Sequence, residues 1–182
     1  MKIRRRFLCI AGLLALMAAL ASVWGGLAYG GRNPLASAAR EYQQLKAVEQ
    51  AIFRLTNEAR RQNGLPPLER DRDLFRVAWF TSVDMLHRQF FSHVNPDGAT
   101  PKDRVQARYT AEVLMVGENI WSGTGSGHLE ATPLPRLIVD SWMSSPSHRK
   151  NILEPSYTHL GVGVAATGKD VRATQVFVRL KQ

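Results

Sequence analysis

Apolar residues recur at helical spacing over residues 38–63, where Leu45, Val48, Ile52, Leu55 and Ala59 mark one face. This predicts a helix that Gly64 stops and Pro66-Pro67 keeps from restarting. A second helix is predicted over 72–89, with Leu74, Ala78, Thr81 and Met85 along one stripe. Asp71 and Asp73 sit at its start, where negative charge meets the positive end of the helix dipole. Thr100-Pro101-Lys102-Asp103 predicts a short third helix, with Thr100 as cap and Asp103 at the capping-box position. Val113 to Trp121 reads as a strand and Ser122 to Gly127 as a Gly/Ser loop. Thr132-Pro133 opens a fourth helix, with Leu134, Ile138 and Trp142 on one face and Pro146 as its limit.

The period then changes to two. Leu160, Val162 and Val164 alternate with Gly161 and Gly163, and Val176, Val178 and Leu180 alternate with Gln175, Phe177 and Arg179. Gly168-Lys169-Asp170 between them predicts a hairpin. Helices, a strand, a helix and a hairpin make an α+β domain with a small antiparallel sheet.

Ahead of this domain the chain reads differently. Lys2, Arg4, Arg5 and Arg6 precede an unbroken apolar run from Phe7 to Leu20, and Ala19 and Ala21 are small enough for a signal peptidase. Residues 1–21 are therefore expected to be a signal peptide or an N-terminal membrane anchor, 22–40 a linker and 41–182 the domain. The Arg4-Arg5-Arg6-Phe7-Leu8 string also fits a twin-arginine signal. Apolar character through Val23, Trp24, Leu27 and Tyr29 makes residues 7–29 nearly long enough to span a bilayer uncleaved. The basic end would then stay cytoplasmic, so every reading puts the domain outside the cytoplasm.

Net charge is +9 over 182 residues. Setting aside the four leader charges leaves 20 basic against 15 acidic side chains, or +5. That surplus suits loose attraction to anionic surfaces such as lipid headgroups or wall polymers, and no basic block has the density of a nucleic-acid arm. The one cysteine, Cys9, lies in the leader, so the body has no disulfide framework and depends on a packed core.

Three strings carry the candidate chemistry: Phe91-Ser92-His93-Val94-Asn95-Pro96-Asp97-Gly98, Gly117-Glu118-Asn119-Ile120, and Ser145-Pro146-Ser147-His148-Arg149-Lys150-Asn151-Ile152-Leu153. His93 is predicted in a loop just past a helix end, and His148 at a helix-to-turn boundary. Loops on a rigid scaffold are where sites are commonly built. Glu118 lies in an otherwise apolar strand, so its carboxylate needs a partner or a wet cleft. Arg104 is a candidate partner for a carboxylate, Arg149 for local carbonyls, and Asn151 for backbone within its own loop. No Gly-x-Ser-x-Gly elbow and no His-Glu-x-x-His spacing is present.

In this order and spacing the three strings resemble the bacterial branch of the CAP superfamily, the SCP domain shared by cysteine-rich secretory proteins, venom antigens and plant pathogenesis-related proteins. Asn57-Glu58 and Gly64-Leu65-Pro66-Pro67-Leu68 are similar to the family's first-helix end, so the resemblance covers about residues 47–180. It implies an α-β-α sandwich with helices on both faces of the sheet. It also implies a cleft of two histidines and acidic residues able to take a divalent ion such as zinc. His93 matches the first histidine, Glu118 the first acid and His148 the second histidine. The second acid, expected just after Trp142, is replaced by Met143, Ser144 and Ser145.

Three functions are consistent with these residues. The first is a secreted binding module whose cleft (His93, Glu118, His148) holds a metal through His93 and His148, or a small lipid, peptide or glycan ligand. The second is a metal-assisted hydrolase of cell-wall or extracellular peptides, with Glu118 as general base. The third is an envelope interaction protein whose cleft is idle.

Overall fold

The structure, a computed structural model, describes residues 33–109, 112–124 and 134–181. Leu35–Gln182 forms one compact unit. Helix α1 (Pro34–Gln62) is followed by a two-residue strand β1 (Glu69–Arg70) and helix α2 (Arg72–His87). A short helix α3 (Pro101–Gln106), strand β2 (Val113–Thr124), helices α4 (Leu134–Ser144) and α5 (Pro146–Ile152), and strands β3 (His159–Thr167) and β4 (Asp170–Leu180) complete the order.

The sheet runs β1-β3-β4-β2. β2, β4 and β3 are antiparallel, whereas β1 joins β3 in parallel through Glu69 opposite His159. The sheet is therefore mixed at one edge. No periodicity reveals a two-residue strand, and β1 exists because side chains hold the segment before it. Asn57 exchanges two hydrogen bonds with the backbone of Leu68, at 2.8 and 3.0 Å, which steers the chain leaving α1 onto the edge of β3.

Helices cover both faces. Strand alternation sends Leu160, Val162, Val164, Ala173 and Phe177 into one layer, where they meet Val48 and Ile52 of α1 and Ile138 and Trp142 of α4. It sends Val176 and Val178 to the other side, against Leu74, Val77 and Ala78 of α2 and Val105 of α3. The stripe Leu74, Ala78, Thr81 and Met85 is buried as its spacing predicts. Gly161 and Gly163 let α2 approach closely. A Cβ at Gly161 would overlap the backbone of Leu74, and one at Gly163 the backbone of Ala78 and Trp79.

Four local expectations need correction. Residues 34–37, ahead of the predicted start at 38, are the first turn of α1. Pro34 opens that helix, where a missing N–H costs no intrahelical bond. Ser122–Thr124, read as loop, extend β2 because each has a partner on β4, ending with Thr124 opposite Asp170. Pro146 does not merely limit a helix. It starts α5, so His148 sits within a helical turn. Asn151 leaves its own loop and donates to β2. The leader 1–21, its apolar extension to 29, the linker up to residue 32, the 125–127 part of the Gly/Ser loop and Thr132-Pro133 lie outside the described residues. Among the described residues no helix is long and apolar enough to cross a membrane.

Gly163→Ala forces α2 away from the sheet. It should destabilise the domain by about 1–3 kcal/mol or more, visible as a lower Tm in thermal unfolding. An unchanged Tm would show that this close approach is absent.

Candidate functional site

β2 is the last strand of the sheet, so its outer edge is open to whatever the flanking loops bring. Two elements flank it: the segment from His93 to α3 on one side and α5 on the other.

The first is braced by its own polar residues. Asn95 Oδ1 accepts from the N–H of Asp97 and of Ala99, and Gly98, at φ 82°, returns its N–H to Asn95 O. Arg88 holds Asp97 with both terminal nitrogens. Thr100 and Asp103 form the predicted capping box at the start of α3. That fixes Arg104 one residue later, where its guanidinium donates to Ala99 O at 2.8 Å and His93 O at 3.0 Å.

Arg104 also donates to Glu118 Oε2 at 2.7 Å, while His93 Nδ1 lies 2.9 Å from Glu118 Oε1. The Glu118 side chain is 1% exposed, that of Arg104 16% and that of His93 49%. A carboxylate paired with a guanidinium only accepts hydrogen bonds, so Nδ1 carries the proton and Nε2 of neutral His93 is the acceptor. The strand glutamate thus has two partners, one charged and one orienting. His93, Thr100, Pro101, Lys102, Val116, Gly117 and Glu118 line a hollow of about 330 Å3 at this edge.

The second element, α5, is tied down from beneath. Asn119 Nδ2 donates to His148 O at 3.1 Å, and Asn151 Nδ2 to Glu118 O at 3.1 Å and Asn119 Oδ1 at 2.9 Å. Asn119 is anchored in turn by Gln175 Oε1, and Gln175 by Thr56 on α1. Arg60, fully buried, donates to Ile152 O and Glu154 O and so clamps the exit of α5. Arg149 reaches Asn63 Oδ1 rather than local carbonyls. Gly117 allows this closeness, since a Cβ there would strike the Tyr157 hydroxyl.

The structure therefore joins His93 directly to Glu118. It brings His148 near enough for the charge of His93 to depress its pKa, a smaller cause than burial. His148 is absent from the lining of the hollow itself. Among the described residues no group of three His, Cys, Asp or Glu side chains is placed to hold a metal ion. Glu118 has both oxygens engaged, which leaves the two imidazoles as the available donors. Sequence reasoning missed Lys102 and the buried amides of Asn119 and Gln175. Gln175 lies on an apolar strand whose alternation alone marks it as inward-facing.

Removing the charge of Glu118 strands Arg104 in a poorly hydrated site. Glu118→Gln should cost roughly 3–5 kcal/mol in denaturant unfolding, and a loss below 1 kcal/mol would contradict the pairing. His148, with its pKa below the ordinary 6.5, binds fewer protons folded than unfolded. Its contribution to stability is full above pH 6.5 and is lost as pH falls through the unfolded and then the folded midpoint. NMR titration should place the His148 midpoint below 6.5, and His93→Gln should raise it only in part, because burial is the larger cause.

The cysteine-rich secretory protein family, CAP, matches residues 53–178. The chain is 36% identical over 124 residues to YkwD of Bacillus subtilis, covering 68% of this chain and 45% of that protein. It is 34% identical over 133 residues to the membrane protein YlbC of the same organism, covering 72% and 36%. It thus spans less than half the length of either relative. Among solved structures, an extracellular SCP-domain protein of Bacillus anthracis superposes with a TM-score of 0.64 at 32% identity, over 83% of this chain and 45% of that one. An outer surface protein of Borrelia burgdorferi shares the fold, with a TM-score of 0.66 at 20% identity over 75% and 95%. With its helices on both faces of a small sheet and the family match running from α1 to β4, this chain belongs to the CAP superfamily, in its bacterial SCP-domain form.

Proposed function

We propose that this CAP-family chain is an extracytoplasmic binding module whose ligand seats in the hollow beside His93. The carrying observation is the Arg104–Glu118–His93 relay. Glu118 is spent on holding the imidazole, and the half-exposed ring offers a fixed acceptor to the hollow. A ring held by a buried carboxylate is preorganised, so a ligand meets it without ordering it first. The basic leader with its apolar run, and the extracellular protein of Bacillus anthracis at 32% identity, support the location outside the cytoplasm.

A divalent ion such as Zn2+ would take its protein donors from His93 and His148, with water completing the shell. Burial and the neighbouring ring keep His148 in the neutral form that metal binding needs. Such an ion would supply a Lewis-acidic centre to the ligand. The geometry favours the hydrolase reading less, because the Glu118 carboxylate is buried and already accepts from Arg104 and His93.

Calorimetric titration of the full chain in detergent with Zn2+ at neutral pH tests this. One ion per chain is expected, with affinity at least tenfold weaker in His93→Ala and no saturable heat in His93→Ala/His148→Ala. Unchanged binding by the double variant would remove the site.

A further inference from the structure

The wall of the hollow opposite α3 is the free edge of β2, and its backbone groups have a definite direction. In an antiparallel ladder successive residues turn their N–H and C=O alternately toward one neighbour and the other. Val178 O accepts from Thr158 N at 2.9 Å, on the β3 side of β4. Val178 therefore faces away from β2, and its register partner Val116 faces away from β4, toward the open edge. The same parity turns Glu118 and Ile120 outward. Two side-chain bonds agree with it: Asn151 Nδ2 donates to Glu118 O, and Trp142 Nε1 donates to Ile120 O at 3.1 Å.

Side chains of the fold thus cap the edge on its α5 side and stop there. Among the described residues, nothing bonds the N–H and C=O of Val116 or the N–H of Glu118. These groups flank the hollow, and the strand continues into Leu114 and Met115, residues that are 48% and 37% exposed. The charge there is equally specific. Arg104 balances Glu118, whereas Lys102 on the facing wall makes no ion pair among the described residues.

We infer that the hollow takes an extended peptide bearing a carboxylate side chain, docked as an added strand along Val116–Glu118 with its carboxylate toward Lys102. This rests on the cleft reading above and names its ligand class. A strand presents donors and acceptors on one side at every second residue, about 7 Å apart, which matches the outward groups of Val116 and Glu118. An acyl chain has no such groups. Edge pairing is a general mode of peptide capture, in which main-chain bonds give affinity and alternate side chains give selectivity.

The test uses the 15N-labelled full chain in detergent and a blocked hexapeptide alternating valine and glutamate. Hydrogen exchange at the Val116 and Glu118 amides should slow at least tenfold on binding. N-methylation of one alternate set of peptide nitrogens should weaken binding at least tenfold, and methylation of the other set should not. Lys102→Ala should weaken it severalfold with Tm unchanged. Equal effects of the two methylated sets, binding without protection of the two amides, or no binding at millimolar peptide would each overturn the inference. The two readings fail separately. A protein that ignores the peptide yet shows zinc heats dependent on His93 loses the edge-pairing mode and keeps the cleft.

Discussion

One buried carboxylate organises the open side of this molecule. Glu118 lies on the edge strand with its side chain 1% exposed, where an unpaired charge would be untenable. Arg104 and His93 satisfy it, and both must be held to do so. Arg104 is held by the capped start of α3 and by two loop carbonyls, one of them that of His93. The same guanidinium therefore fixes the loop backbone and neutralises the acid that orients the loop's imidazole. Loss of any one contact loosens the other two.

The opposite flank is built on amides. Thr56, Gln175, Asn119 and Asn151 form a continuous chain from α1 through the sheet to α5. A branch from Asn119, whose Nδ2 also donates to His148 O, ties the backbone of the second histidine to the edge strand. Neutral amides suit this position because they can be satisfied on both sides without a countercharge. The two flanks differ in exposure accordingly: the charged one faces the hollow, and the amide one lies inside the core.

Much of this was legible in the sequence. The stripes of α1, α2 and α4 follow from apolar periodicity, and the β3–β4 hairpin from alternation around Gly168. The paired glycines on β3 announced a close approach, and a lone glutamate on an apolar strand announced a partner. The misses have a common cause. β1 depends on Asn57 reaching eleven residues ahead, α5 on contacts from β2 and α1, and Asn151 on a strand 32 residues earlier. None of these leaves a local pattern, because the groups that satisfy the backbone come from elsewhere in the chain. The sequence marks Arg104 as a candidate partner for a carboxylate, but only the capping box and the loop show which carboxylate it meets.

The orientation of one ring concentrates the whole account. If the Arg104-paired carboxylate holds His93, the neutral imidazole carries its proton on Nδ1 and leaves Nε2 bare toward the hollow. Long-range 1H–15N spectra of the full chain at alkaline pH, where imidazoles are neutral, measure this directly. The expected result is a single Nδ1–H tautomer that becomes mixed in Glu118→Gln. A predominant Nε2–H tautomer, or a mixture already present in the unaltered protein, would contradict it.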